Sequence, residues 1–103
     1  MIYIIRTTLP FTMKEFEVTS FAQSLIEAGS ACVQHHQIAS TFSWEGNITH
    51  EKEWSLSIKV SSQNLLAVTE VIKNLHPYDV PQILTQEIQS NKEYEDWVNS
   101  KNV

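Results

Sequence analysis

Cysteine is almost missing from this chain: Cys32 is the only one among 103 residues. That excludes a disulfide framework and permits a reducing compartment. Glycine is nearly as scarce, with only Gly29 and Gly46, so there is no glycine-rich loop to cradle a phosphate. Neither a nucleophile elbow nor a Cys-x-x-Cys pair occurs. Basic residues are few, seven Lys and Arg against twelve Asp and Glu, for a formal net charge of −5. Such a balance opposes non-specific nucleic-acid binding and attraction to an anionic membrane. No apolar run approaches the ~20 residues of a membrane span. The apolar start, Met1 to Ile5, is too short for a secretory signal and lacks a basic flank. The expectation is a cytoplasmic protein, not an enzyme, with neither nucleic acid nor membrane as partner. Its length makes residues 1–103 one domain by default.

What the chain does have is a long β-hairpin between Cys32 and Val60. In the first arm Ile38, Ser40, Phe42 and Trp44 alternate with Ala39, Thr41 and Ser43, the period of 2 that a strand requires. In the second, Trp54, Leu56, Ile58 and Val60 alternate with Ser55, Ser57 and Lys59. Glu45-Gly46-Asn47 supplies the positive-φ residues for the reversal. Arms of about 12 residues would reach roughly 40 Å at ~3.3 Å per residue. A domain of this size has a radius of gyration near ~13 Å, so it cannot cover such a hairpin. An exposed strand edge pairs or aggregates, which predicts an obligate oligomer built through the 32–60 hairpin.

The remaining pattern is regular. Residues 2–8 read as a strand covered on both faces, ended by Pro10. Thr12 with Glu15 predicts a capping box and a helix from about Met13, with Val18, Phe21, Ala22, Leu25 and Ile26 inward and Gly29 as C-terminal cap. Ser61 or Ser62 is expected to cap a second helix, with Leu65, Val68, Val71, Ile72 and Leu75 inward and Pro77 as its stop. Val80 to Ile88 reads as a fourth strand. A further capping box, Ser90 with Glu93, opens a short helix presenting Tyr94, Trp97 and Val98. The order β-α-β-β-α-β plus a terminal helix predicts an α+β, ferredoxin-like sandwich. Its first and third strands are central and its second lies at an edge.

Cys32, His35 and His36 are the one cluster of metal-type ligands, suited to copper or zinc. On a regular strand Cys32 and His36 share a face and His35 points away. A bulge or a neighbouring subunit is then needed for a chelate; otherwise Cys32 acts as a small buried hydrophobe. His50, Glu51 and Glu53 read either as a weak cation site or as a solvated acidic turn. In His76-Pro77-Tyr78-Asp79-Val80-Pro81, two prolines make a rigid loop in which His76, Tyr78 and Asp79 either orient a ligand or only turn the chain. Trp44 and Trp54 are expected to pack across strands or subunits.

Ser30-Ala31-Cys32-Val33, Trp44-Glu45-Gly46-Asn47-Ile48, Glu53-Trp54 through Ile58-Lys59, and above all His76-Pro77-Tyr78-Asp79-Val80-Pro81 resemble the CutA family of divalent-cation tolerance proteins. Thr7-Thr8 and Tyr94 with Trp97 fit the same pattern, so the resemblance covers essentially the whole chain. It implies a homotrimer of ferredoxin-like subunits joined through the hairpins, a copper or other divalent cation as ligand, and no catalytic activity. Cys32, His35 and His36 are then the metal residues, and Trp44, His76, Tyr78 and Asp79 mark a ligand cleft. A similarity of the family to PII signalling proteins implies, as the alternative, a small-ligand or signalling module without metal. The chain departs from the family pattern at Gln82 (usually Glu), at Asn47 (commonly Lys), in the lack of a proline between the cysteine and the tryptophan, and at Ser90-Asn91 in place of a Gly-Asn/Asp pair.

Overall fold

Nine residues of continuous antiparallel pairing hold the middle of the molecule. In a computed structural model describing residues 1–101, β1 (Ile2–Pro10) pairs with β3 (Asn47–Ser61) from Ile2↔Ser61 to Pro10↔Glu53. Around this pair lie α1 (Glu15–Glu27), β2 (Cys32–Trp44), α2 (Leu65–Leu75), β4 (Leu84–Ile88) and α3 (Lys92–Asn99). The sheet order is β2-β3-β1-β4, with the first and third strands central as the crossover rule predicts.

One face of the sheet carries Ile5, Leu9, Trp54, Leu56, Ile58 and Val60, the period-2 set of the two central strands. They form the main core with Val18, Phe21 and Leu25 of α1 and Val68 and Ile72 of α2. The opposite face is largely open. Only at its near end does α3 pack against β3 and β1, where Ile2 and Val98 are fully buried. Trp54 anchors the core's outer end. It is 6% exposed, stacks on Phe11 with centroids 5.1 Å apart, and donates from Nε1 to the Met13 carbonyl at 2.9 Å.

The hairpin is as long as its pattern suggests. β2 and β3 pair from Cys32↔Lys59 to Trp44↔Asn47, and the molecule measures 44 × 25 × 21 Å with a radius of gyration of 14.3 Å. The reversal is tighter than expected. Asn47 already pairs with Trp44, so the positive-φ residues are Glu45 (φ 51°) and Gly46 (φ 81°) alone, the two-residue geometry that follows strand twist.

Several ends differ from expectation. β1 continues to Pro10, where the missing N–H falls at the strand's last residue. The Met13 N–H then closes a turn on the Pro10 carbonyl at 3.0 Å. That turn consumes Thr12, so α1 starts at Glu15, with Glu17 accepting from the Lys14 N–H at 2.9 Å. Gly29 does end α1: its N–H and that of Ser30 return to the Ile26 and Leu25 carbonyls. Neither Ser61 nor Ser62 caps α2; Asn64 does. Its side chain donates to the Gly29 carbonyl at 3.2 Å and the Lys101 carbonyl at 2.8 Å, while Ser61 Oγ accepts its N–H. β4 begins only at Leu84 because Thr8, next in line on β1, gives its carbonyl to His76 instead. Asn91, not Ser90, precedes α3. Ile26 and Leu75, expected inward, are about half exposed at 44% and 49%.

Replacing Trp54 with Ala removes a buried ring, its stack and its hydrogen bond together, and should destabilise the fold by about 3–5 kcal/mol. Urea unfolding at fixed protein concentration measures it. A loss below about 1 kcal/mol would mean that the site collapses around the missing ring.

Candidate functional site

The outer half of the hairpin curls over the loop that follows α2. Between them lies a cavity of about 760 Å³, within the usual ligand-pocket range of ~300–1,000 Å³. The hairpin contributes Ile38, Phe42, Trp44, Glu51 and Glu53, and the loop contributes Tyr78, Asp79 and Gln82. Every charged side chain on this lining is a carboxylate.

Two hydrogen-bonded groups set the loop's position. His76 is the first. Its Nδ1 accepts the Tyr78 N–H at 3.2 Å, which leaves Nε2 to donate to the Thr8 carbonyl at 2.8 Å. Thr7 Oγ1 lies 3.1 Å from the same nitrogen. Burial pushes the His76 pKa below its ordinary 6.5, against the opposing pull of the Thr8 carbonyl and the Glu53 charge. The second group is Tyr78, whose hydroxyl donates to Glu53 Oε2 at 2.8 Å. Burial first, then this bond and the nearby carboxylates, raise the Tyr78 pKa far above its usual 10.0. The phenol therefore keeps its proton and remains a donor.

Of the four residues expected to line a cleft, Trp44, Tyr78 and Asp79 do so. His76 stands behind the wall as the pin between loop and β1. Glu53 is the residue that pattern reading misplaced. It is only 8% exposed, not part of a solvated turn, because it lies well inboard of the tip, opposite Ile38, and Tyr78 covers it. The signal available in the sequence was a carboxylate next to a core tryptophan, which alternation sends to the opposite face of the sheet. His50 does not join it; its Nδ1 lies 3.0 Å from Thr41 Oγ1. Gln82, where the family pattern has a carboxylate, also lines the cavity.

The sulfur and imidazole donors lie elsewhere, at the base of β2. Cys32 sits on the open face, with its thiol hydrogen-bonded by Tyr94 of α3. Burial, and then Cys32, raise the Tyr94 pKa from 10.0. His35 faces the helices. Its Nε2 is 2.9 Å from Glu15 Oε2, and its ring meets Trp54 edge-on at 5.6 Å. His36 is exposed, opposite Ser55, on the same face as Cys32 but about 13 Å along the strand. One chain does not bring the three donors together. Among the described residues no group of three or more His, Cys, Asp or Glu is placed to hold a metal ion. No described helix is long and apolar enough to cross a membrane.

A family model described as CutA1 divalent ion tolerance protein matches residues 4–101. Protein CutA of Bos taurus is 33% identical over 79 residues, 75% of this chain and 45% of that protein. The chain therefore spans less than half of that relative's length. Among solved structures, the periplasmic divalent cation tolerance protein CutA of Archaeoglobus fulgidus superposes with a TM-score of 0.86 at 32% identity, covering 96% of each chain. The PII-like protein CutA of a Nostoc species, in apo form, gives a TM-score of 0.82 at 33% identity, covering 93% of this chain and 92% of that one.

The His76 pin makes stability sensitive to acid. As pH falls below the ordinary 6.5 the unfolded chain takes up the imidazole proton, whereas the folded chain resists until lower pH. The pin's contribution is thus present above that value and lost below it. In urea unfolding, the stability difference between neutral and mildly acidic pH should be smaller in His76→Gln than in the wild type; an identical difference would refute the assignment. Tyr78→Phe strips Glu53 of this donor and should cost about 1–3 kcal/mol in the same assay.

Proposed function

This chain belongs to the CutA1 family of divalent ion tolerance proteins, and from that membership we propose that it binds divalent cations, copper foremost, as a homotrimer assembled through the 32–60 hairpin. The observation behind this reading is the outer edge of β2. The strand stands at the margin of the sheet, runs for 13 residues, and carries Cys32, His35 and His36 near its base. An edge of that length invites strand addition from another copy. Because the three donors do not converge within one chain, the site we propose is completed by equivalent groups of a neighbouring subunit. Thiolate and imidazole are soft and borderline ligands, which favour copper over magnesium or calcium. Metal competes with protons for both groups, so affinity falls on acidification. We propose no catalytic role. A cytoplasmic location accords with a lone thiol that must stay reduced.

A second reading, a small-ligand or signalling module, is favoured by the cavity at Trp44, Tyr78 and Asp79. The Nostoc neighbour's description as PII-like points the same way.

Light scattering at micromolar concentration should give about three times the 11.8 kDa chain. A stable folded monomer would sink the assembly. In calorimetric titrations, Cys32→Ser should lose the tightest copper binding while staying assembled. His35→Ala combined with His36→Ala should weaken Cu(II) more than Cu(I), since the thiolate is the softer donor. Wild-type copper binding in both variants would remove these residues as ligands.

A further inference from the structure

We propose that the cavity between the outer hairpin and the 76–82 loop binds an aliphatic polyamine, an organic cation whose ammonium groups are separated by methylene chains. The proposal rests on the second reading above, that this cavity is a ligand site, and it names the ligand's chemistry.

Charge comes first. Glu51, Glu53 and Asp79 line the cavity, and no Lys, Arg or His does. An anionic ligand such as a nucleotide would meet only repulsion there, and a neutral apolar one would desolvate carboxylates without return. A bare divalent ion fits poorly for a different reason. It needs several oxygens converging within about 2.0–2.6 Å, and among the described residues no such group of three forms. The carboxylates are spread around a volume of about 760 Å³. Separated anionic groups match separated cationic ones.

The surface between them is apolar and aromatic. Ile38, Phe42, Trp44, Tyr78 and Val80 line it, and Trp44 is 50% exposed. Methylene segments can lie along these side chains while an ammonium group rests on the indole face. Glu53 contributes a fixed anion. It is 8% exposed, and Tyr78 holds Oε2 at 2.8 Å, so the carboxylate is oriented before any ligand arrives. With its phenol proton committed to Glu53, Tyr78 offers the cavity a neutral ring. The cavity is open to solvent on the hairpin side, where Glu51, Trp44 and Asp79 are all exposed. An elongated, flexible ligand can enter by that route.

Calorimetric titration of the intact, assembled protein with spermidine, at about 0.15 M salt to suppress unspecific surface attraction, tests the assignment. Saturable binding at one site per chain is expected. Glu51→Gln and Asp79→Asn, both at exposed positions, should each weaken it roughly three- to tenfold. Trp44→Leu should weaken it similarly, with Trp44→Phe restoring most of the loss. No saturable binding to the wild type would overturn the proposal. So would equal affinity in all variants, or displacement of spermidine by an equimolar amount of Mg(II). Should a nucleotide bind instead and be lost in Trp44→Leu, the cavity stands as a ligand site and the polyamine assignment falls. A parallel copper titration of the same variants keeps the metal reading separate, since none of them touches Cys32, His35 or His36.

Discussion

The register between β1 and β3 is the constraint from which the other features follow. A strand's side chains alternate between faces, so a slip of one residue would exchange every one of them. With Ile5 opposite Ile58 and Leu9 opposite Trp54, both central strands send their apolar sets to the same face, and α1 and α2 close over it. The same register puts Pro10 beside Glu53. Glu53 and Trp54, adjacent in the chain, therefore serve opposite faces: one ring completes the core and the neighbouring carboxylate faces the cavity. A β3 shifted by one residue would bury the carboxylate in the core and expose the indole.

The hairpin's excess length divides the molecule into two regions. Its base is clamped by the helices on one face and by α3 on the other. Its outer half has only the 76–82 loop beside it, and there Phe42, Trp44 and Ile48 remain 36%, 50% and 76% exposed. Sulfur and imidazole donors lie in the first region, aromatic and carboxylate groups in the second. A single chain thus carries two separate sets of cation-binding chemistry, a soft one at the sheet edge and a hard, aromatic one in the cavity.

The loop is held by polar contacts whose geometry depends on protonation. His76 uses both ring nitrogens, one as acceptor and one as donor, which only the neutral imidazole can do. Tyr78 extends the chain of contacts from that ring to Glu53. The prolines at 77 and 81 restrict the backbone between these points. Position and chemistry of the cavity's inner wall therefore come from a loop without regular structure, pinned to β1 at Thr7 and Thr8.

By itself the amino-acid sequence determined the element order, the period-2 faces of the hairpin, the glycine-terminated first helix and the central place of β1 and β3, because periodicity and crossover handedness are local or topological rules. It also determined that Cys32 and His36 share one face and that His35 takes the other. Helix starts escaped it: Thr12 and Ser61 look like caps, but a turn at Pro10–Met13 and the long-range bonds of Asn64 to Gly29 and Lys101 took precedence. The strand read from Val80 begins at Leu84 because His76 had claimed the Thr8 carbonyl. Only the tertiary structure decided that His76 pins a loop while Tyr78 and Asp79 face a cavity, and that Glu53 is buried beneath a tyrosine 25 residues away in the chain. Such pairings depend on where the curled hairpin meets the loop, a distance that no local pattern encodes.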